Sequence, residues 1–420
     1  MSETIVDTII IGIGAAGLLS SIYLARKGQK VLCLFKGLGA TAMSSGCFDI
    51  LGYSYKRSDW LSSFTEGYND LPSEHPYKIL SEGDLHQLDS ILKEATVNLG
   101  ELFDKFLYGN YTKNVLIPTI FGTIKPTAYV QVSMKNAILR EDTDMLIIGF
   151  RDFYEFNPRL IAHMLKTALK VFDICNIRIN YAYLKTQSST TFPKISLETI
   201  VSEIKSILKH KRTDIILFPA IFDSIETVKK IEKELNIHIA ELPSTPAYRA
   251  GIRLNSFLVN LAEKYGVSLI HADDIKVDLE GRRITRLRVL SHNRILEYKA
   301  HNYIIATGDL LGGGLELYTD LISGVAHIKE TLLGFEVENV SIENLTKQDF
   351  FSRNGHKLSR IGVRINNSAR LVDKNGKELV KNAYFVGSII GGYDYNVEKS
   401  GLGVVLVSVW KAVNEIFRGE

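Results

Sequence analysis

Residues 5–36, IVDTIIIGIGAAGLLSSIYLARKGQKVLCLFK, restrict the start of this chain to one kind of unit. The apolar run at 5–11 reads as a buried parallel strand, and Gly12, Gly14 and Gly17 then form GxGxxG at the mouth of a helix. In that fingerprint the first glycine allows a tight turn, the second lets the backbone approach a phosphate, and the third lets helix and strand pack closely. The helix start at Ala15 and Ala16 adds free N–H groups and the positive end of a dipole for an anion. Val31–Phe35 reads as the second strand. Its end, roughly 20 residues past the glycines, ordinarily carries an acid that holds an adenosine ribose. Phe35 and then Lys36 stand there instead, and Lys36 is a candidate cofactor contact. A phosphate cradle without the ribose acid favours FMN, which has no adenosine. FAD on a degenerate ribose site is the alternative.

A chain of 420 residues has room for two or three lobes. Its net charge of +3, with no Lys/Arg stripe, gives no ground for nucleic-acid binding. Cys33, Cys47 and Cys175 are far apart and form no CxxC or ligand cluster, so neither a zinc site nor an iron–sulfur centre is expected. Such sparse cysteine usage fits a reducing cytoplasm. The first strand begins so early that a signal peptide has no room. No apolar stretch reaches the ~20 residues of a membrane span. Membrane association is therefore expected only at the periphery, through a partner.

Beyond the first unit, 37–52 is rich in small residues and reads as loop. Residues 56–108 read as helices interrupted at Pro72 and Pro76, and 115–132 as short antiparallel strands. Strands at 145–150 and 214–219 alternate with helices at 157–171, 195–208 and 225–235. From Arg249 the pattern returns to the nucleotide-binding type: a helix at 255–265, strands at 268–271 and within 275–291, and a strand ending NYIIATG at 302–308. A further strand runs into a Gly-rich turn at 383–393, and a closing helix covers 401–416. The expected architecture is α/β. A discontinuous Rossmann-like flavin-binding domain, 1–55 and 245–420, carries an inserted α/β lobe at 56–244 for substrate and partner contact.

Three separated segments, 12–17, 306–308 and 387–392, each put glycine at the carboxyl end of a strand. Ligands of open parallel sheets bind outside those ends, so a shared cofactor cleft is expected. Its contacts would include Thr307, Gly308, Gly387, Ser388 and Gly391. The pattern is that of two-dinucleotide-binding-type flavoproteins, in which a late Gly-Asp closes over the ribityl–phosphate chain. Ser388 replaces that Asp and can still donate a hydroxyl hydrogen bond. Ser44, Ser45 and Gly46, after the second strand, are candidates for phosphate or ring contacts, and Gly403 for close approach to a flavin edge.

The chain resembles the B-subunit family of anaerobic glycerol-3-phosphate dehydrogenase nearly end to end. The segments that carry the likeness are IIIGIGAAGLLS, SSGCFDILG at 44–52, EHPYKIL at 74–80, PSTPAYRAGIRLNSFL at 243–258, IATGDLLGGGLEL at 305–317 and NAYFVGSIIGGYDY at 382–395. The resemblance implies an FMN flavoprotein paired with a larger, FAD-containing A-type partner, often anchored to the membrane by an iron–sulfur C-type partner. Together these oxidise sn-glycerol 3-phosphate to dihydroxyacetone phosphate and pass electrons to quinone. That family also lacks the ribose acid. Glu398 and Lys399 depart from its Gly-rich stretch before the last helix. Arg249 and Arg253 are the candidates for gripping the substrate phosphate, because a guanidinium offers two parallel donors. His75 and Tyr77 are candidates for proton acceptor and anion donor. Two rival readings remain open: a stand-alone flavin oxidoreductase acting on another small organic acid, and a non-catalytic assembly protein with a vestigial site.

Overall fold

The first strand, Thr4–Ile11, is central because it is apolar on both faces. It pairs in parallel with Val31–Phe35 on one side and Arg294–Ile305 on the other. The computed structural model describes residues 4–56, 59–185, 196–244, 249–350, 352 and 355–419. They form two compact units, one of residues 1–41, 49–100 and 255–420, the other of 42–48 and 101–254.

In the first unit the sheet runs Ser268–His271, Val31–Phe35, Thr4–Ile11, Arg294–Ile305, Arg283–Ser291, Asp274–Glu280. On the edge away from Thr4–Ile11, the strand Arg294–Ile305 is long enough to serve two partners. Its first half pairs antiparallel with Arg283–Ser291, and Tyr303 to Ile305 pair in parallel with Ala383–Phe385. Strands Thr4–Ile11, Arg294–Ile305 and Ala383–Phe385 therefore point their carboxyl ends the same way. The helix Ala15–Arg26 is buried from Ala15 to Leu24. It packs against the last helix, Gly401–Arg418, which also covers Leu85–Asn98 and Pro76–Leu80. The Tyr23 hydroxyl donates to the Ala95 carbonyl.

The helices Phe64–Tyr68, Pro76–Leu80 and Leu85–Asn98 thus belong with the nucleotide-binding sheet, and not with an inserted lobe at 56–244 as the sequence pattern suggests. Leu88, Leu92 and Ala95, all buried, form the ridge that docks there. The other expected boundary, residue 245, lies outside the described residues, as do 245–248 of the 243–258 segment. An antiparallel sheet of Leu315–Asp320, Val325–Glu330 and Glu336–Ser341 has no counterpart in the sequence reading. Its first strand buries only Leu315, which leaves little alternation to detect.

The second unit has its own parallel sheet, in the order His238–Leu242, Ile215–Pro219, Asp144–Phe150, Arg178–Leu184. Helices Pro158–Val171, Leu197–Leu208 and Ile225–Leu235 pack with it. Each begins at a side-chain cap, Asn157, Ser196 or Ser224, that accepts a backbone N–H three residues on. Within its core lies a charged pair. Arg253 donates to both carboxylate oxygens of Glu241, at 3.0 and 2.5 Å, and both side chains are buried. Removing one partner of such a pair strands the other charge in low dielectric, which costs about 3–5 kcal/mol. Glu241→Ala is expected to destabilise the protein by that amount in chemical denaturation. Glu241→Leu combined with Arg253→Met is expected to recover most of it, and equal losses in the single and double variants would contradict this account.

Candidate functional site

Three glycine loops of the first unit meet where the three strands end. Gly12 has φ +109°, and a Cβ there would lie 2.2 Å from the Ala306 carbonyl oxygen, so the loops after Thr4–Ile11 and Arg294–Ile305 touch backbone to backbone. Gly387 has φ +79°, and a Cβ on it would come within 2.6 Å of Ala16 Cβ, which brings the third loop onto the first helical turn. Its N–H donates to Ser408 Oγ of the last helix at 3.1 Å. A Cβ on Gly308 would be 3.7 Å from Ser388 Oγ, which joins the second loop to the third. Gly12, Ala15, Ala16, Gly17, Gly308, Gly387 and Ser388 are therefore one cluster.

Gly14 differs from the others. It caps the helix in an extended conformation, φ −67° and ψ −179°, and a Cβ there would meet only Thr41 Oγ1, at 3.6 Å. The space over Gly14 is open. Thr41 Oγ1 accepts the Ala15 N–H at 2.7 Å and keeps its own proton to donate. No acidic side chain sits in the first turn to repel an anion. Thr307 Oγ1, at the end of the second loop, is buried with no hydrogen-bond partner among the described residues. An unpaired buried hydroxyl costs free energy unless a further group meets it. An open phosphate cradle and an unpaired hydroxyl beside it fit a phosphate-bearing flavin.

The remaining expected contacts fare differently. Gly391 packs against Gly362, whose N–H nitrogen would be 2.7 Å from a Cβ, so this glycine serves loop packing. Gly403 faces Tyr77 Oη and Ile50, at 2.0 and 2.8 Å from its would-be Cβ, and its own N–H donates to Asp49 O. That side is filled by protein, so Gly403 is a helix-packing glycine and not a flavin contact. Lys36 is exposed, 3.9 Å from Asp274. Ser44, Ser45 and Gly46 belong to the second unit. There Ser45 Oγ accepts from Lys125 Nζ, and a Cβ on Gly46 would strike Gln131 Nε2.

The four candidate substrate residues are also engaged elsewhere. Arg253 gives Nε–H to Gln131 Oε1, one Nη1 proton to Phe222 O, another to Glu241, and its Nη2 protons to Glu241 and Ser133. All five donors of the guanidinium have acceptors within the second unit, so it has none left for a phosphate. Arg249 pairs with Asp223 at 3.2 Å on the surface of the same unit. His75 is fully buried. Its Nδ1 accepts the Tyr77 N–H as a helix cap at 3.0 Å, which assigns the ring proton to Nε2, and Nε2 donates to Glu398 Oε2 at 3.0 Å. Both ring nitrogens are occupied, so His75 is a structural residue here. The Tyr77 hydroxyl donates to Ile50 O at 2.6 Å, and burial pushes its pKa well above the ordinary phenol value, so it is neither base nor anion donor.

Glu398, whose charge stands out in the sequence, is the centre of that buried knot. It also accepts from Ser400 Oγ and from the Asp394 N–H. Asp394 in turn caps Tyr395–Glu398, while burial raises its pKa and the nearby Arg360 charge opposes the rise. Tyr395 Oη donates to Asp309 Oδ2 at 3.1 Å, and Asp309 Oδ1 accepts the N–H groups of Leu311 and Gly312. Asp309 thereby ties the loop after Arg294–Ile305 to the loop after Ala383–Phe385. Sequence reasoning misses Thr41, Asp309, Arg360 and Ser408; only Asp309, next to ATG, carries a positional hint. A separate cavity of about 300 Å³, lined in part by Arg283, His301, Arg370 and Lys381, lies at the amino end of Ala383–Phe385, away from these loops.

A parallel sheet with three converging glycine loops and an open phosphate cradle defines a flavin-dependent oxidoreductase. The chain belongs to the FAD binding domain family, whose model matches residues 7–404. It is similar along nearly its whole length to proteins that carry the name of the B subunit of anaerobic glycerol-3-phosphate dehydrogenase. That of Actinobacillus pleuropneumoniae serotype 5b (strain L20) is 27% identical, over 98% of both chains. A protein of Halobacterium salinarum, named as a probable B subunit of the same enzyme, is 23% identical, over 97% of this chain and 96% of that one. These matches bear out the family resemblance read from the sequence. Among solved structures, 3-ketosteroid delta1-dehydrogenase from Sterolibacterium denitrificans overlaps at a TM-score of 0.45 with 12% identity, over 99% of this chain and 100% of that one. The flavin expectation stands; the preference for FMN does not, since the matching family is described by FAD.

The two glycines of the cradle should separate in mutagenesis. Gly14→Val has a permissive φ and open space, so the apoprotein should keep its stability within about 1 kcal/mol while flavin retention is lost. Gly12→Ala combines positive φ with a backbone clash and should cost about 2–4 kcal/mol of stability itself. Thermal unfolding of the apoproteins and the visible absorbance of the purified proteins check both. A Gly14→Val protein with a full complement of flavin would remove this loop from the cofactor site.

Proposed function

We propose that this chain is the B-type flavin component of a glycerol-3-phosphate:quinone oxidoreductase. It would act in the oxidation of sn-glycerol 3-phosphate to dihydroxyacetone phosphate. The observation that carries this reading is the likeness, over 98% of the chain, to a protein bearing the B-subunit name. The converging glycine loops of the first unit support it. Bound there, a flavin supplies a two-electron acceptor for the hydride that leaves the carbinol carbon.

The chain's own part is to bind and orient. The N–H groups at Gly14 and Ala16 and the Thr41 hydroxyl would hold the cofactor phosphates, and Thr307 and Ser388 would donate to its ribityl–phosphate chain. We take the flavin to be FAD, following the family match. The end of the second strand offers its adenosine ribose no carboxylate, because Phe35 there packs edge-on against His271. A larger FAD-bearing A-type partner and an iron–sulfur C-type partner, carrying electrons towards quinone at the inner face of the membrane, complete the proposed assembly. Among the described residues no helix is long and apolar enough to cross a membrane.

The test is anaerobic. The protein, purified alone and with its co-expressed partner, receives sn-glycerol 3-phosphate while flavin absorbance and dihydroxyacetone phosphate are followed. The expected result is bleaching of the flavin with matching product in the co-purified complex, and FAD by mass after denaturation. Bleaching by another hydroxy acid but not by glycerol 3-phosphate would overturn the substrate. Release of stoichiometric FMN would restore the FMN reading, and absence of flavin would leave a non-catalytic assembly role.

A further inference from the structure

The cavity of about 300 Å³ at the amino end of Ala383–Phe385 plays no part in the proposed reaction, and its lining is strongly cationic. Arg283, Arg370 and Lys381 line it together with His301, and no acidic residue does so among the described residues. We propose that this cavity is an anion site of the first unit, which takes the phosphoryl group of a small ligand between Arg283, Arg370 and Lys381.

The cations come from separate segments that the sheet locks side by side. Arg283 opens the strand Arg283–Ser291, His301 lies within Arg294–Ile305, and Lys381 stands two residues before Ala383–Phe385. Buried Asn382 fixes their register. Its Oδ1 accepts the Ile284 N–H at 2.9 Å, and its Nδ2 donates to Ile284 O at 2.9 Å and to His301 O at 3.4 Å. The Lys381 N–H donates to Arg282 O at 2.8 Å. Arg370 arrives from a further segment. Its Nη2 donates to the hydroxyl of buried Tyr384 at 3.1 Å, and its guanidinium carbon lies 5.2 Å from the centroid of that ring.

Charge balance selects the ligand. Glu378 lies 3.5 Å from Arg370 Nη1 and offsets one of the three permanent charges. The Arg283 and Lys381 side chains have no partner among the described residues, and Arg370 Nε is buried with no acceptor among them. Like charges held together repel, and an unmet buried donor costs free energy. An anion seated there relieves the repulsion and offers the missing acceptor. The two uncompensated charges match a phosphate monoester, which carries about −1.5 to −2 at neutral pH. Its tetrahedral oxygens can face cations that converge from several segments, whereas a carboxylate presents two oxygens in one plane. The arginine forks add bidentate geometry to the charge.

Arg283→Gln combined with Lys381→Gln tests the site in the flavin-loaded protein, because both side chains are exposed and their loss leaves the core intact. Binding of inorganic phosphate and of succinate is followed by calorimetry. The control is Lys166→Gln combined with Lys170→Gln, which removes the same charge from exposed positions of Pro158–Val171 in the second unit. We expect a saturable phosphate-binding event in wild type and control that weakens about 10–100-fold in the Arg283/Lys381 variant, with flavin content unchanged in all three. Absence of saturable binding in wild type, unchanged affinity in the Arg283/Lys381 variant, or an equal loss in the control would each overturn the site. Succinate bound as tightly as phosphate would contradict the phosphoryl class. Sedimentation with phosphatidic acid vesicles, lost in the Arg283/Lys381 variant, would support the site and assign the phosphoryl group to a lipid headgroup. Phosphate binding without such sedimentation would support it and assign the group to a soluble ester.

Discussion

The contact between Gly12 and the carbonyl of Ala306 is the constraint on which the first unit depends. Two parallel strands leave the sheet side by side, and their exits lie closer than any Cβ allows. Because that approach is made, the helix that follows starts directly over the sheet edge with its N–H groups facing outward. Gly17 repeats the device from the helix side, with the Gly12 carbonyl oxygen 1.9 Å from its would-be Cβ. Gly387 then brings the third loop onto Ala16. Close backbone packing, more than any polar contact, creates the cradle. The polar groups that line it, Thr41 and Thr307, are placed by that packing.

A second layer of order comes from buried charge. Glu398 joins His75, Ser400 and the Asp394 N–H, and its carbonyl accepts from Gly52 and Tyr53. Segments near 52, 75 and 395 are thereby held as one body under the third loop. Such a knot is costly to desolvate and stable only if each member is satisfied, which explains why a His and a Tyr that look catalytic in the sequence are held within the scaffold. Arg253 and Glu241 do the same for the second unit. Buried hydrogen-bond networks, one of them around the Arg253–Glu241 ion pair, thus take up residues to which sequence reasoning assigns chemistry.

Local patterns are legible in the sequence. Val31–Phe35, Ser268–His271 and Ile225–Leu235 fall where apolar runs, caps and turn residues place them, because each is decided by its own neighbours. The converging glycine loops are legible too, since carboxyl ends of parallel strands share an edge. Partners set by the tertiary fold are not. Gln131 reaches Arg253 across 122 residues, and Glu398 reaches His75 across 323. Nothing local tells an arginine with five acceptors from one awaiting substrate. Within the fingerprint itself, Gly12 is the left-handed residue, while Gly14 is extended and has room for a side chain. Gly403 looks in the sequence like a flavin contact, though the side it leaves open faces Tyr77. A glycine in a motif reports that something is close, and only the fold says what.

The central claim is that one flavin is held jointly by the three glycine loops of the first unit. Hydrogen exchange, compared between the holoprotein and the same protein stripped of flavin, measures this most directly. The account predicts that amides at 14–17, 307–308 and 387–388 lose protection together when the flavin is removed, while the parallel sheet of the second unit keeps its protection. Loss confined to one loop, or centred on the cavity beside Arg283 and Arg370, would contradict it.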